Sequence, residues 1–279
     1  MDSFIDISLQ KCIRDGCFYY KHKDVLNPTH GDYCCKGCKI SGNHGHLCKK
    51  RSILNTAVQG IFDIDSISVY IFNWHKVSEN SLKLYRHISE VVNDVTIINC
   101  DETLKLNNTI KNIQLDDSHF YGSQYQHAIT DVKENKILCV IVGDNIAENS
   151  FKDIFMNALQ IFNKYKVGVY GPYDKRSGIE GKLSMLEKGV FNVHHTDCGF
   201  WFINPEIVKV FKNYNFKELT NYGWGIDLIT ANESLRLGYK VILDHRSTTD
   251  QLNWSTNYNW VDAGKQMEKL LHIYNKNNK

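Results

Sequence analysis

The chain has little proline and no long hydrophobic run. Only 3 of its 279 residues are proline, and no low-complexity tract interrupts it. The longest apolar runs, such as residues 137–142, are much too short to cross a bilayer, and the first residues lack the basic region and apolar core of a signal peptide. We therefore expect a folded protein without a transmembrane segment, resident in the cytoplasm.

Phosphate-binding glycine loops are missing as well. No GxGxxG follows the first predicted strand, and no GxxxxGK[ST] occurs anywhere. These absences argue against a dinucleotide oxidoreductase and against a P-loop kinase. The net charge of +2 gives no reason to expect nucleic acid as a partner. A protein that handles phosphate without such a loop needs another counter-charge, and a divalent cation held by a carboxylate supplies one.

The nine cysteines divide the chain unevenly. Six lie within the first 48 residues, whereas Cys100, Cys139 and Cys198 stand among apolar neighbours and are expected to be buried thiols. The composition of the whole chain, 42% hydrophobic and 23% charged, is that of an ordinary globular protein. We therefore divide the chain into a Cys/His-rich segment, residues 1–55, and a large domain, residues 56–279.

The Cys/His-rich segment has the ligand spacing of a zinc site. A tetrahedral structural Zn²⁺ takes four nitrogen or sulfur ligands, often from two short clusters. The candidate ligands are Cys34, Cys35, Cys38, His44 and Cys48, with His46, Cys12, Cys17, His22 and His30 as further possibilities. A reducing compartment favours zinc, whereas an oxidising one would favour disulfides. Either link would stabilise a segment too short to bury much core.

From residue 67 onward, apolar runs of strand length alternate with amphipathic helical patterns. Strands are predicted at 67–73, 95–100, 137–143 and 166–170, and helices at 81–92, 123–132 and 151–165. Nearly unbroken apolar strands between helices are typical of a mostly parallel sheet flanked by helices. Ligands bind at the carboxyl ends of such strands, where this chain has Asn73, Asp101, Asp144 and Asn145.

A second informative segment is residues 222–227, Tyr-Gly-Trp-Gly-Ile-Asp. The two glycines around Trp224 predict a tight turn, and the apolar spacing after Asp227 predicts a helix over 228–237, followed by a strand over 239–243. A carboxylate at this position either offsets the helix dipole or accepts a proton from a sugar hydroxyl.

The order of these elements resembles the nucleotide-sugar domain of GT-A glycosyltransferases, in particular the large family 2. The similarity rests on segments 121–128, 143–145, 197–205 and 223–227, covers about residues 67–250, and is closest to the short glycosyltransferases of large DNA viruses. It implies a GT-A-like (Rossmann-like) α/β fold. It also implies inverting transfer of a sugar from a UDP- or GDP-sugar to a glycan or protein hydroxyl, with Mn²⁺ or Mg²⁺ at the donor site.

The resemblance also assigns roles to individual residues. Asp227 would be the catalytic base, and Asp144 would hold the metal together with His245, Asp250 or Gln251. Aromatic rings suit the C–H faces of sugars, so Trp201 and Trp224 would stack on them. The donor contacts would come from Asn73, Asp101, Asn145 and Gly225, and Lys175 and Arg176 are candidates to reach the diphosphate.

The metal-binding DxD motif of the family is degenerate here. Asp144 is followed by Asn145 and Ile146, whereas the literal match, Asp63 to Asp65, precedes the first strand and is predicted to lie at the wrong edge of the sheet. This departure keeps open a catalytically inactive GT-A-like binding module with a zinc-stabilised docking head. A nucleotidyltransferase, which also uses a carboxylate-bound metal, is a third interpretation.

Overall fold

The computed structural model describes residues 62–176, 181–252 and 259–277. The Cys/His-rich segment and its predicted zinc or disulfides lie outside the described residues. The domain boundary after residue 55 therefore remains a prediction.

One central sheet organises the described part of the chain. Its strands are β1 (Ile67–Asn73), β2 (Val95–Asn99), β3 (Asn112–Gln114), β4 (Ile137–Val142), β5 (Asn145–Ala147), β6 (Val167–Asp174), β7 (Lys182–Glu187), β8 (Val190–Val193), β9 (Phe200–Ile203) and β10 (Lys240–Gln251). They are ordered β3-β2-β1-β4-β9-β6-β10-β8-β7, and β5 pairs with β10. Most strands run in one direction, while β9 is antiparallel between β4 and β6. The predicted mostly parallel α/β architecture is confirmed.

The helices cover both faces of this sheet. They are α1 (Ser78–Ser89), α2 (Tyr121–Asp131), α3 (Phe151–Lys164), α4 (Pro205–Phe211), α5 (Phe216–Leu219), α6 (Ile226–Arg236) and α7 (Trp260–Asn277). Along the described residues, no helix combines the length and the apolar character that a bilayer span requires.

Alternation along β1 explains why its sequence is apolar at nearly every position. Val69 and Ile71 join the core beneath α1 and α3, whereas Tyr70 and Phe72 join the core shared with α2, α4, α6 and α7. Successive side chains point to opposite faces of a strand, so a strand covered on both faces needs apolar residues throughout.

Several elements differ from the sequence prediction. β6 and β10 extend beyond their predicted ends, and the β7–β8 hairpin and α7 were not predicted. The second half of β10 is polar and contains a register irregularity between Asp244 and Thr248. For this reason the hydrophobic pattern of the sequence does not predict this half of the strand. Its Asp244 is buried with the Tyr170 hydroxyl (3.0 Å) and the Arg246 guanidinium (2.8 Å) as partners. His245 therefore lies inside a strand and not at its end.

The strand order places a topological switch between β1 and β4. The chain continues from β1 to β2 on one side, and β4 pairs with β1 on the other. A crevice forms at the carboxyl ends of strands at such a point.

Candidate functional site

A polar network occupies the carboxyl ends of β1 and β2. Asn73, fully buried, donates from Nδ2 to Asn99 Oδ1 (2.6 Å) and to Ser78 Oγ (3.1 Å). Ser78 Oγ in turn donates to Asp101 Oδ2 (2.7 Å), and the Asp101 backbone N–H donates to Asn99 Oδ1 (3.0 Å). Asn73 and Asp101, which were predicted to lie close together, are thus linked by hydrogen bonds through Ser78.

Asp101 is held in its ionised form. Burial by itself would raise the pKa of this carboxyl, but hydrogen bonds from the Thr103 hydroxyl, Ser78 and the Thr103 backbone outweigh it and lower the pKa to about 2. The Thr103 hydroxyl and backbone N–H lie 2.6 and 2.9 Å from Oδ1. The network therefore presents a fixed negative charge at the end of β2.

The turn after β4 is clamped by α1. Asn80 Nδ2 donates to the carbonyl oxygens of Gly143 (2.7 Å) and Asn145 (2.9 Å). A Cβ on Gly143 would lie only 2.3 Å from Ser81 Oγ and 2.8 Å from the Phe72 carbonyl oxygen, so the turn can approach α1 and β1 only with glycine there. Asp144, the next residue, is fixed by this packing.

Asp144 has the opposite electrostatic environment to Asp101. Burial raises the pKa of Asp144 to about 6, the carboxylates of Asp197 and Asp174 act in the same direction, and the Arg176 guanidinium opposes them. A group so placed gains from any cation that approaches it.

A cluster of polar side chains extends from this turn toward β9 and β10. The side chain of Asn145 is 1% exposed, and neither of its amide atoms has a hydrogen-bond partner among the described residues. A Cβ on Gly199 would lie 2.9 Å from Asp197 Oδ1, 3.1 Å from Gln251 Nε2 and 3.8 Å from Asn145 Nδ2. Because Gly199 has no side chain, Asn145, Asp197 and Gln251 can all pack close to its backbone.

Asp227 lies in the first turn of α6, as its sequence position predicts. Gly223 and Gly225 both have φ of +87°, and Gly225 is the N-cap of the helix. A Cβ on Gly223 would lie 2.4 Å from Tyr121 Cδ1, and the Tyr121 hydroxyl donates to the Cys198 carbonyl (3.0 Å). Tyr121 therefore holds the segment that carries Asp227 and the segment that carries Asp197.

His195 is a site residue that sequence reasoning missed. Its Nε2 lies 3.4 Å from Asp227 Oδ2, and the two side chains are 26% and 21% exposed. His195 comes from the connection between β8 and β9, and no spacing pattern in the sequence relates it to Asp227. Only its position two residues before Asp197 hinted at the site.

The tryptophans have different surroundings. Trp201 is 1% exposed and its ring stacks on Tyr125 in the core (5.9 Å between centroids), so it has no free face for a sugar. Trp224 is half-buried and contacts Trp260 edge to face (5.2 Å) beside the Asp227 turn. Of the two predicted stacking residues, the structure places only Trp224 near the crevice.

The candidates for a further metal ligand are also separated. His245 stacks on Tyr173 (4.3 Å) and contacts Phe191 (5.1 Å). Gln251 instead pairs in register with Asn145, and its Nε2 donates to Asp174 Oδ2 (3.0 Å). Within residues 62–176, 181–252 and 259–277, no three His, Cys, Asp or Glu side chains are grouped to hold a metal.

The literal DxD lies at the other edge of the sheet. Asp63 accepts from Ser66 Oγ (2.7 Å) and Asp65 accepts from Asn93 Nδ2 (3.1 Å), both before β1 begins. These carboxylates lie at a short helical turn, as predicted from their position in the sequence. Near the crevice, Lys175 pairs with Glu148, and Arg176 Nη1 donates to the Leu252 carbonyl oxygen (2.9 Å).

Comparisons with known proteins identify a fold and no family. Neither a protein-family model nor a curated protein sequence matches this chain. A solved structure of GalNAc-T7 with UDP, GalNAc and Mn²⁺ matches at a TM-score of 0.52 and 10% identity, over 69% of this chain and 45% of that one. A UDP-glucose pyrophosphorylase complexed with UDP-glucose matches at a TM-score of 0.43 and 10% identity, over 75% and 99%. The fold is GT-A-like. The chain spans less than half of the GalNAc-T7 chain.

Proposed function

We propose that this protein is a metal-dependent glycosyltransferase that moves a sugar from a nucleotide-diphosphate sugar to a hydroxyl acceptor. One observation carries the proposal: Asp197 is an electrostatic neighbour of both Asp144 and Asp227. Asp144 follows β4 at the switch-point crevice, and Asp227 begins α6. A donor-side carboxylate and an acceptor-side carboxylate therefore lie at one edge of a GT-A-like sheet.

The nucleoside end of the donor belongs at the β1–β2 network. Asp101 offers an ionised carboxylate, and Asn73 Oδ1 is buried without a hydrogen-bond partner among the described residues. A ribose hydroxyl or a base N–H is the kind of donor that these oxygens accept. Asn145 and Gly225 are further donor contacts in this proposal.

The residues present fit Mn²⁺ or Mg²⁺ held at Asp144. Burial and neighbouring carboxylates penalise negative charge at Asp144, so a cation there is favoured, and a carboxylate is an oxygen donor of the kind that hard cations prefer. Mg²⁺ commonly uses one or two carboxylates together with substrate phosphates, so a complete protein cage is not required. When bound, the cation supplies counter-charge to the leaving diphosphate.

Asp227 acts as the base in this proposal. The acceptor oxygen forms a bond to the anomeric carbon and gives its proton to Asp227, while the bond from that carbon to the diphosphate oxygen breaks with its electron pair. Attack opposite the leaving group inverts the anomeric centre, as in inverting glycoside hydrolysis. Trp224, close to Asp227 in sequence and half-buried, is the candidate ring for contact with an acceptor or donor sugar in this proposal.

The test is a thermal-shift titration of the full chain with UDP and with GDP, with and without Mn²⁺. Wild type is expected to be stabilised by nucleotide only when metal is present, because the diphosphate needs its counter-charge. Asp144→Asn should abolish this metal dependence, whereas the matched change Asp65→Asn, at the opposite edge of the sheet, should leave it intact. An unchanged metal response in Asp144→Asn would remove Asp144 from the site.

The catalytically inactive binding module makes a different prediction. It would bind the nucleotide but would neither transfer nor hydrolyse the sugar. A screen of nucleotide sugars for metal-dependent release of UDP or GDP separates the two interpretations.

A further inference from the structure

The group that faces Asp227 is an imidazole. His195 Nε2 and Asp227 Oδ2 are 3.4 Å apart, and the two residues come from elements that are distant in sequence. Both side chains are about a quarter exposed, so solvent reaches the pair and it is not enclosed in the core.

The charged surroundings of this pair come from the β8–β9 connection and from β6. Asp197 lies close enough for its pKa to be raised by Asp174 and Asp227 and lowered by His195, although burial is the largest influence on it. The Cys198 thiol is kept neutral, first by burial and then by the carboxylates of Asp227 and Asp197. The imidazole of His195 thus lies among carboxylates.

We infer that His195 is a positioning residue for Asp227 and the next acceptor of the proton that Asp227 takes from the substrate. The inference rests on the proposed glycosyl transfer. The hydroxyl O–H bond breaks as the new glycosidic C–O bond forms, and the proton goes to Asp227. It then passes to His195 Nε2, which leaves an imidazolium beside a carboxylate. The nucleoside diphosphate departs with the electrons of the broken anomeric C–O bond.

The chemistry favours such a pair. Imidazole is a stronger base than a carboxylate, so passing the proton on to His195 returns Asp227 to the form that can accept another. A partly exposed ion pair contributes little to folding, so removal of His195 should leave the fold stable.

The first test is the pH profile of transfer by His195→Gln, with His194→Gln as the matched control. His194 is the exposed neighbour of His195 in the same connection. In wild type, turnover should fall at acid pH, because an imidazolium cannot accept the proton. His195→Gln should lower turnover at pH 7 by about 10- to 100-fold and alter this acid limb. His194→Gln should behave as wild type, and a wild-type profile in His195→Gln would overturn the inference.

The second test does not require activity. The His195 ring is observed by NMR at one fixed pH in the full-length wild type and in Asp227→Asn, with its resonances assigned through His195→Gln. Loss of the carboxylate that faces Nε2 should change the chemical shift of this nitrogen. An unchanged chemical shift would overturn the pairing. Absence of turnover with every nucleotide sugar would instead count against the proposed function, and this comparison would still decide the pair.

Discussion

Two carboxylates at the same edge of the sheet illustrate how local hydrogen bonding sets charge. Asp101 is buried, yet its pKa falls to about 2 because hydroxyl and backbone donors surround it. Burial raises the pKa of Asp144 to about 6, and neighbouring carboxylates add to that effect. The first residue is equipped to receive hydrogen bonds from a neutral ligand, and the second is equipped to receive a cation.

Asp101 should stabilise the fold in a pH-dependent way. Its folded pKa is below the unfolded value of about 3.9, so its stabilisation is present above that pH and is lost as pH falls toward about 2. We expect Asp101→Asn to reduce the free energy of unfolding by about 1–3 kcal/mol at pH 7, with the difference from wild type shrinking toward pH 2. Urea unfolding at a series of pH values measures it. A difference that does not change with pH would show that lost packing, and not lost charge, is responsible.

Asp227 should matter for turnover and little for stability. Asp227→Asn keeps the shape of the side chain and removes its basicity, so turnover should fall by about 10²- to 10⁴-fold while metal-dependent nucleotide binding persists. Steady-state assays with a donor identified by the screen measure turnover, and thermal shifts with nucleotide measure binding. Near-normal turnover would exclude Asp227 as the base.

At the scale of elements, the connection into α6 is the most constrained part of the site. Gly122 at the start of α2 lies against this connection, since a Cβ there would be 1.8 Å from the Thr220 carbonyl oxygen. Ser123 Oγ also donates to Asn221 Oδ1 (2.6 Å). The first turn of α2 therefore fixes the segment that carries Trp224 and Asp227.

Gly223→Ala should disrupt this connection. An alanine at a φ of +87° is strained, and its Cβ would lie within 2.9 Å of three Tyr121 atoms. We expect a loss of about 2–4 kcal/mol and a fall in Tm of roughly 5–12 °C. Gly264→Ala is the control: no atom of the described residues lies within 4 Å of the added Cβ in α7, so the change should raise stability by about 0.5–1 kcal/mol. Equal Tm values for the two variants would contradict this account.

At the scale of the whole molecule, the predicted zinc in the Cys/His-rich segment awaits a chemical test. Elemental analysis of protein purified without added metal should find about one or two zinc ions per chain. Chelation should unfold a segment whose stability comes from metal, whereas metal-dependent nucleotide binding, restored with Mn²⁺, should survive in the large domain. Protein without zinc whose cysteines are linked by disulfides in non-reducing mass spectrometry would refute the prediction and the expected cytoplasmic location.

The sequence by itself determined the elements that bury regular apolar faces. β1, β2, β4 and α3 follow from unbroken apolar runs or helical spacing, and the two glycines before Asp227 identify the turn that begins α6. These features are local, so their signal lies in neighbouring residues. Asn73, Asp101 and Asp144 could be placed at the carboxyl ends of strands because each lies at or just after the end of an apolar run.

Only the tertiary structure decided which distant residues meet. Strand order, the antiparallel insertion of β9 and the polar half of β10 depend on contacts between segments far apart in the chain. For the same reason Trp201 turned out to be core, Gln251 and not His245 lies beside Asn145, and His195 faces Asp227. Periodicity records which face of an element is buried. It does not record which polar side chain lies opposite, because that depends on packing across the sheet.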